Sequence, residues 1–342
     1  MYSHKYLNLW VNHMKKRFFS ILILTCLALT VSGGCASSGP NDGTLVLKAG
    51  FSTGASDPRV VSTQLFKEEV ERATDGRITV DIHTDGELGS DSELISGVVN
   101  GELDITASSA GNFASYAPNV GISAFPFLFD DFEEAWEFVD SDVETRAEAE
   151  LTEVNVKVLG HFDNGFRCVT TSEAAGPVEC VADMDGLKIR IPENQIVMQT
   201  MLLLGAEPEV LGFAELYDAL KNGTFDAQEN PIPVIYNNDL YEVQDNLAIT
   251  NHSYDVMLFV IRQDVWDSLS ESDQKILLDA AAHAQEKDRE LIREQTEDYI
   301  QKLEEAGMNV TYPNLEEFKG ATSSLVDEFA GSFDPELLAE IR

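Results

Sequence analysis

Residues Gly186 to Tyr241 carry the decisive pattern. They contain Gly-Leu-Lys-Ile-Arg-Ile-Pro (Gly186 to Pro192), Leu-Gly-Ala-Glu-Pro (Leu204 to Pro208), Phe-Ala-Glu-Leu-Tyr (Phe213 to Tyr217) and Asp-Ala-Gln-Glu-Asn-Pro (Asp226 to Pro231). Leu187 to Ile191 reads as a short apolar strand stopped by Pro192. Helices are expected over Gln195 to Leu204 and Phe213 to Asn222, with Gly205 and Gly223 as their C-terminal stops. A strand that ends in Arg190 aims a guanidinium into whatever cavity lies beyond it. A buried guanidinium needs an anionic partner, because an unpaired buried charge costs several kcal/mol.

The same alternation continues on both sides. Leu45 to Phe51, Ile78 to His83 and Leu103 to Ala107 read as strands, separated by helices at Pro58 to Thr74 and Ser92 to Asn100. An acidic helix is expected from Glu133 to Leu151, then strands at Val154 to Leu159, Arg167 to Thr171, Leu247 to Thr250 and Val256 to Ile261. Strand and helix alternation of this kind implies α/β lobes with largely parallel pairing. Ser272 to Ala306 contains no Gly or Pro, and Ser270 with Asp273 forms a capping-box start. A helix of that length, roughly 50 Å, must bridge two lobes or project from one.

The chain has 342 residues, more than one ordinary core holds, and a formal charge of −37. That charge argues against nucleic-acid binding and reads as a solvated acidic surface. Lys15, Lys16 and Arg17 precede an apolar run from Phe18 to Val31, and Gly33-Gly34-Cys35 follows. This is the pattern of an export signal, with translation starting at Met14 and a lipidation site at Cys35. Ser32 departs from the Leu usual at that lipobox position. Ala36 onward is a polar tether. Cys168 and Cys180 are then candidates for a disulfide in an oxidising compartment, against the alternative of two buried thiols.

The order and spacing of the four segments between Gly186 and Pro231 resemble the solute-binding proteins of tripartite ATP-independent periplasmic (TRAP) transporters, the DctP-type family. The resemblance runs from about Leu45 to near the C-terminus. It implies a two-lobed, type II-like periplasmic-binding-protein fold with crossing strands and a long helix spanning both lobes. Lobe I would comprise 45–164 with about 256–295, and lobe II 165–255 with about 296–342, after a signal at 1–35 and a tether at 36–44. The implied function is capture of an organic acid and its delivery to an ion-coupled membrane permease, with no cofactor, no metal and no catalysis. The implied receptor is a monomer held at the membrane by its lipid alone.

Residue by residue, the resemblance assigns the ligand carboxylate to Arg190, with Arg167 and Asn230 beside it. On spacing alone Arg167 equally fits a hinge salt bridge, and Asn230 before Pro231 a turn. Phe213 matches a pocket aromatic, and Ser52, Asp91, Ser109 and Asn112 match first-lobe positions that face the rest of the ligand. Asp91 also suits helix capping, and Glu193 either touches ligand or favours a helix N-terminus. Glu229 and His252 read as structural. One carboxylate clamp suits C4-dicarboxylates, uronates and other sugar acids, oxo acids and sialic acid alike. Two other readings stay open: a receptor that serves a membrane sensor, and an exported hydrolase of acidic sugars. No nucleophile elbow, phosphate-binding Gly loop or His-Glu-x-x-His pattern supports the latter.

Overall fold

The computed structural model describes residues 43–341, and this stretch forms one compact unit. The calls on the signal, Met14, Cys35 and most of the tether lie outside the described residues. The first elements are β1 (Leu45–Gly50), α1 (Pro58–Ala73), β2 (Ile78–His83), α2 (Asp91–Asn100), β3 (Ile105–Ser109) and the short α3 (Ala110–Phe113). Then come α4 (Phe132–Val139), α5 (Asp142–Ala147), β4 (Val156–Thr171), β5 (Lys188–Ile191), α6 (Gln195–Leu203), β6 (Glu207–Val210), α7 (Leu216–Lys221), β7 (Ala227–Pro231) and α8 (Ile232–Asn237). The chain continues through β8 (Asn246–Arg262), α9 (Gln263–Ser268), the long α10 (Glu271–Glu305) and β9 (Asn309–Thr311), and ends in three short helices.

All nine strands join in one sheet of order β2-β1-β3-β8-β4-β7-β5-β6, with β9 beside β8. The outer groups pair in parallel, β2-β1-β3 at one end and β7-β5-β6 at the other, while β8 and β4 run antiparallel to each other and to β3 and β7, and β9 pairs with β8 in parallel. Each outer group, with its helices, is one lobe of the α/β fold. The sequence reading cut each central strand in two. The structure corrects this: β4 is one strand of 16 residues and β8 one of 17.

Both strands survive their polar middles because they bend there. Register shifts fall between Val158 and Gly160, Asp163 and Gly165, and Arg167 and Val169. A bulge of this kind removes backbone groups from the ladder and leaves them to find other partners. Two side chains of α10 provide them: Gln285 Oε1 accepts from His161 N at 2.7 Å, and Asp288 Oδ2 from Asp163 N at 2.6 Å. The long helix is thereby fastened to the strands where they bend. Its early residues Leu277, Ala280, Ala281 and Ala284 pack with α1, β1 and β2, and Leu303 near its end packs with Leu216 and Phe225 of the other lobe.

The single acidic helix expected over Glu133 to Leu151 is three pieces: α4, α5 and a 3₁₀ segment, Glu148–Val154. Ser141 causes the break, because its side chain caps a new helix by accepting from Val143 N at 3.1 Å. The expected disulfide is also corrected, since Cys168 and Cys180 are free. Cys168 packs among Leu216, Phe225 and Leu247, whereas Val178 and Met184, which flank Cys180, belong with Val169. Adjacent side chains of a strand face opposite sides of a sheet, so β4 lies between the two sulfurs. Cys168 Sγ donates to Asn251 Oδ1 at 3.2 Å, and Cys180 Sγ to Asp183 Oδ2 at 3.4 Å.

Candidate functional site

Between the lobes lies an inner cavity of about 50 Å³, enclosed by side chains of both. It shares Asp91, Asn112, Arg190, Pro192 and Phe213 with a second chamber of about 170 Å³. A wider vestibule of about 720 Å³ adjoins it at Ser52, Thr53 and Phe213. Eight residues singled out from the sequence line the inner cavity together: Arg190, Arg167, Asn230, Phe213, Asp91, Ser52, Ser109 and Asn112. The ninth, Glu193, lines the second chamber instead, and its Oε2 accepts from Ser92 Oγ at 2.6 Å. This contact joins the loop after β5 to the N-terminal turn of α2, so the two walls of the cleft touch. Nearby, a Cβ on Gly111 would fall 1.8 Å from Asn194 Nδ2, which leaves no room for any side chain but hydrogen at that position.

Arg190 ends up buried because β5 is an inner strand, paired with β6 and β7, and carries Ile189 and Ile191 into the core. Its Nε and Nη2 donate to Leu211 O at 2.9 and 2.6 Å, which fixes the plane of the guanidinium. The guanidinium lies 6.0 Å from the Phe213 ring centroid. No carboxylate of the described residues pairs with it. Burial pushes its pKa down to about 10, against the more distant pull of Glu229 and Asp91. A guanidinium at that value still carries its full charge at neutral pH, with Nη1 free to donate.

Arg167 has the opposite surroundings. Its Nε and Nη2 fork onto the Glu229 carboxylate, Nη1 donates to Asp255, and Nη2 also reaches Asn230 Oδ1 at 3.3 Å. Burial lowers its pKa, but Glu229 and Asp255 more than offset that and raise it. Burial likewise raises the Glu229 pKa, but Arg167 and the His252 hydrogen bond outweigh it and hold the carboxylate at about 2. Asn230 is oriented from behind: its Nδ2 donates to Gln228 Oε1 at 2.5 Å, and Gln228 Nε2 to Thr170 Oγ1 at 2.8 Å.

The first-lobe wall comes from the ends of β1 and β3 and the start of α2. Ser90 caps α2 in a capping box with Glu93, which leaves Asp91, the next residue, free of that task. Asp91 accepts from Ser52 Oγ at 2.9 Å and from Ser108 Oγ at 3.2 Å. Ser109 Oγ donates to Asp255 Oδ1 at 2.5 Å. Asn112 Oδ1 and Thr53 Oγ1 are buried with no partner among the described residues.

Sequence reasoning missed Thr53, Arg59, Asn164 and Asp255, which also line the cavity. Arg59 was hidden behind Asp57-Pro58, read only as a helix start. Asp57 does cap α1, and the same carboxylate forks onto Arg59 Nε and Nη2 at 3.0 Å each. Asp255 accepts from Ser109, Asn164 and Arg167, which are distant in sequence, so no local pattern marks it. Among the described residues no group of three or more His, Cys, Asp or Glu is placed to hold a metal.

The comparisons with known proteins agree with this fold. The sequence pattern of bacterial extracellular solute-binding protein family 7, DctP, matches residues 50–332. The chain is 34% identical to the 2,3-diketo-L-gulonate-binding periplasmic protein of Escherichia coli, over 83% of this chain and 86% of that one. Among solved structures, a TRAP periplasmic solute-binding protein from Polaromonas bound to D-erythronate matches with a TM-score of 0.83 and 32% identity, covering 87% of this chain and 98% of that one. One from Roseobacter denitrificans with bound L-galactonate matches with a TM-score of 0.80 and 28% identity, covering 87% of this chain and 97% of that one. A two-lobed α/β fold, a cleft with a buried arginine, and a family match over most of the chain therefore coincide, and the chain belongs to the DctP family of bacterial extracellular solute-binding proteins, the solute receptors of TRAP transporters.

Proposed function

We propose that this receptor captures a sugar acid, a small carboxylate with several hydroxyls, and hands it to a TRAP membrane permease without turning it over. The observation that carries this reading is Arg190, a buried cation with spare donors and no carboxylate partner among the described residues. A planar fork in that position suits a carboxylate, which it holds in one orientation with two parallel hydrogen bonds. Arg167 and Asn230 complete that side, Arg167 through the residues it positions and Asn230 through its amide. Ser52, Asp91, Ser109, Asn112 and Phe213 would surround the remainder, and Glu193 would act through the contact between the walls. Relatives named for 2,3-diketo-L-gulonate, D-erythronate and L-galactonate support the choice of class.

The reading includes a monomeric receptor, exported and tethered through a lipid on Cys35, and a lobe division at about 164/165 and 255/256. The register shift between Asp163 and Gly165 supports that division. The test is a thermal-shift and calorimetric screen of four- to six-carbon aldonates and uronates on the mature chain. A cognate acid at a hundred times its dissociation constant adds about 2.7 kcal/mol of stability. No shift with any of these acids would defeat the sugar-acid reading. Mass spectrometry of the membrane-extracted protein tests the anchor, which predicts a diacylglyceryl group on an N-terminal Cys35.

A further inference from the structure

The charges around the inner cavity are unevenly satisfied. Arg59 is closed off by the Asp57 fork, and Arg167 by Glu229 and Asp255. Arg190 alone of the three cavity arginines has no such partner. One cation therefore remains for the ligand, which sets the ligand's share at one carboxylate.

The wall across from this clamp cannot take a second one. Asp91 is a carboxylate whose two protein donors, the hydroxyls of Ser52 and Ser108, are already turned toward it. The Ser109 hydroxyl is likewise spent on Asp255. What these groups offer a ligand is lone pairs, and the unpartnered Asn112 Oδ1 adds another acceptor. A buried acceptor without a donor is costly, and a ligand hydroxyl supplies one. A ligand carboxylate supplies none, and it brings a like charge against the part-buried Asp91 carboxylate. The neutral donors there, Thr53 Oγ1 and the Asn112 amide, do not offset a full charge.

We propose that the receptor reads its ligand as a monocarboxylate: Arg190 takes the one carboxylate, Asp91 and Asn112 take hydroxyl donors at the far end, and diacids of the same length are excluded. This rests on the sugar-acid reading and narrows it to aldonates and uronates as against aldarates. Asp91 is the residue that sets the discrimination.

The experiment is calorimetry on the mature chain with matched pairs that differ only at the last carbon, galactonate against galactarate and erythronate against meso-tartrate. The wild type should favour the better-bound monoacid over its diacid by about a hundredfold or more. Asp91→Asn should shrink that preference by about tenfold, through gained diacid affinity. Asn112→Lys, which adds a cation to the same wall, should also gain diacid affinity, and it answers the question if Asp91→Asn folds poorly. A diacid bound as tightly as its monoacid by the wild type would overturn the inference and leave the sugar-acid reading standing. Parallel changes for both ligands in both variants would overturn the role of Asp91. Binding of no acid from either set, and of none in the wider screen of aldonates and uronates, would overturn inference and reading together.

Discussion

Arg167 and Arg190 line one cavity from neighbouring parts of one sheet, with 5% and 3% of their surface exposed, yet burial acts on them in opposite ways. Arg167 is embedded in carboxylates and its charge is held more firmly than in water. Arg190 has a backbone carbonyl and the Phe213 ring beside it, and its charge is strained by the same burial. The first belongs to the architecture, because it ties β4 to β7 and β8. The second is left without a carboxylate among the described residues, which is why we assign it to the ligand. The difference teaches that a buried cation is informative only through its partners, since residue type and depth are shared.

The sharpest way to break this contrast is to remove each guanidinium in turn. Arg167→Met leaves Glu229 and Asp255 buried without their guanidinium and should cost about 3 to 5 kcal/mol of stability in urea unfolding. Arg190→Met strands no carboxylate and should leave unliganded stability within about 1 kcal/mol, while Arg190→Lys should lose about 2 to 5 kcal/mol of ligand binding by calorimetry. Equal destabilisation by the two Met variants would show that Arg190 also is structural. Acid sharpens the same contrast. Glu229 has a folded pKa of about 2, below its ordinary 4.5. The stability it contributes is thus present above pH 4.5 and lost as pH falls toward 2, about 3 kcal/mol in all. Acid unfolding of wild type and Glu229→Gln should converge over that window, and a constant gap would remove the ion pair from the account. The smallest effects belong to the contact between walls. Gly111→Ala forces Asn194 aside and should weaken ligand binding by about tenfold, with less compaction on binding in small-angle scattering. Ser92→Ala removes an exposed hydrogen bond to Glu193 and should cost at most about 1 kcal/mol of binding.

Arg190 was legible in the sequence because its signal is local: an apolar strand, a stop at Pro192 and a charged residue between. The α1 and α10 starts were legible for the same reason, each marked by its own cap, whereas the α2 cap is Ser90 and not the expected Asp91. What escaped depends on contacts across the fold. Asp163-Asn164-Gly165 and Asn251-His252-Ser253 look like loops, but their polar groups find partners in α10, Trp136, Tyr254, Asp255, Cys168, Thr250 and Glu229, so the strands continue through them with bends. Without that continuity, the parity that separates Cys168 from Cys180 could not be counted. The Asp255 site was invisible for a related reason, since it is defined by what β3 and β4 bring to it.

The continuity of β4, β8 and α10 also bears on how this receptor comes apart. Each of the three contributes to the packing of both lobes. Neither lobe is therefore a contiguous stretch of chain that a gene fragment can encode. A protease that cuts any one of the three connections leaves the halves joined by the other two, and by a sheet that does not end between them. Accidental cleavage outside the cytoplasm would release no half-receptor able to hold solute without delivering it.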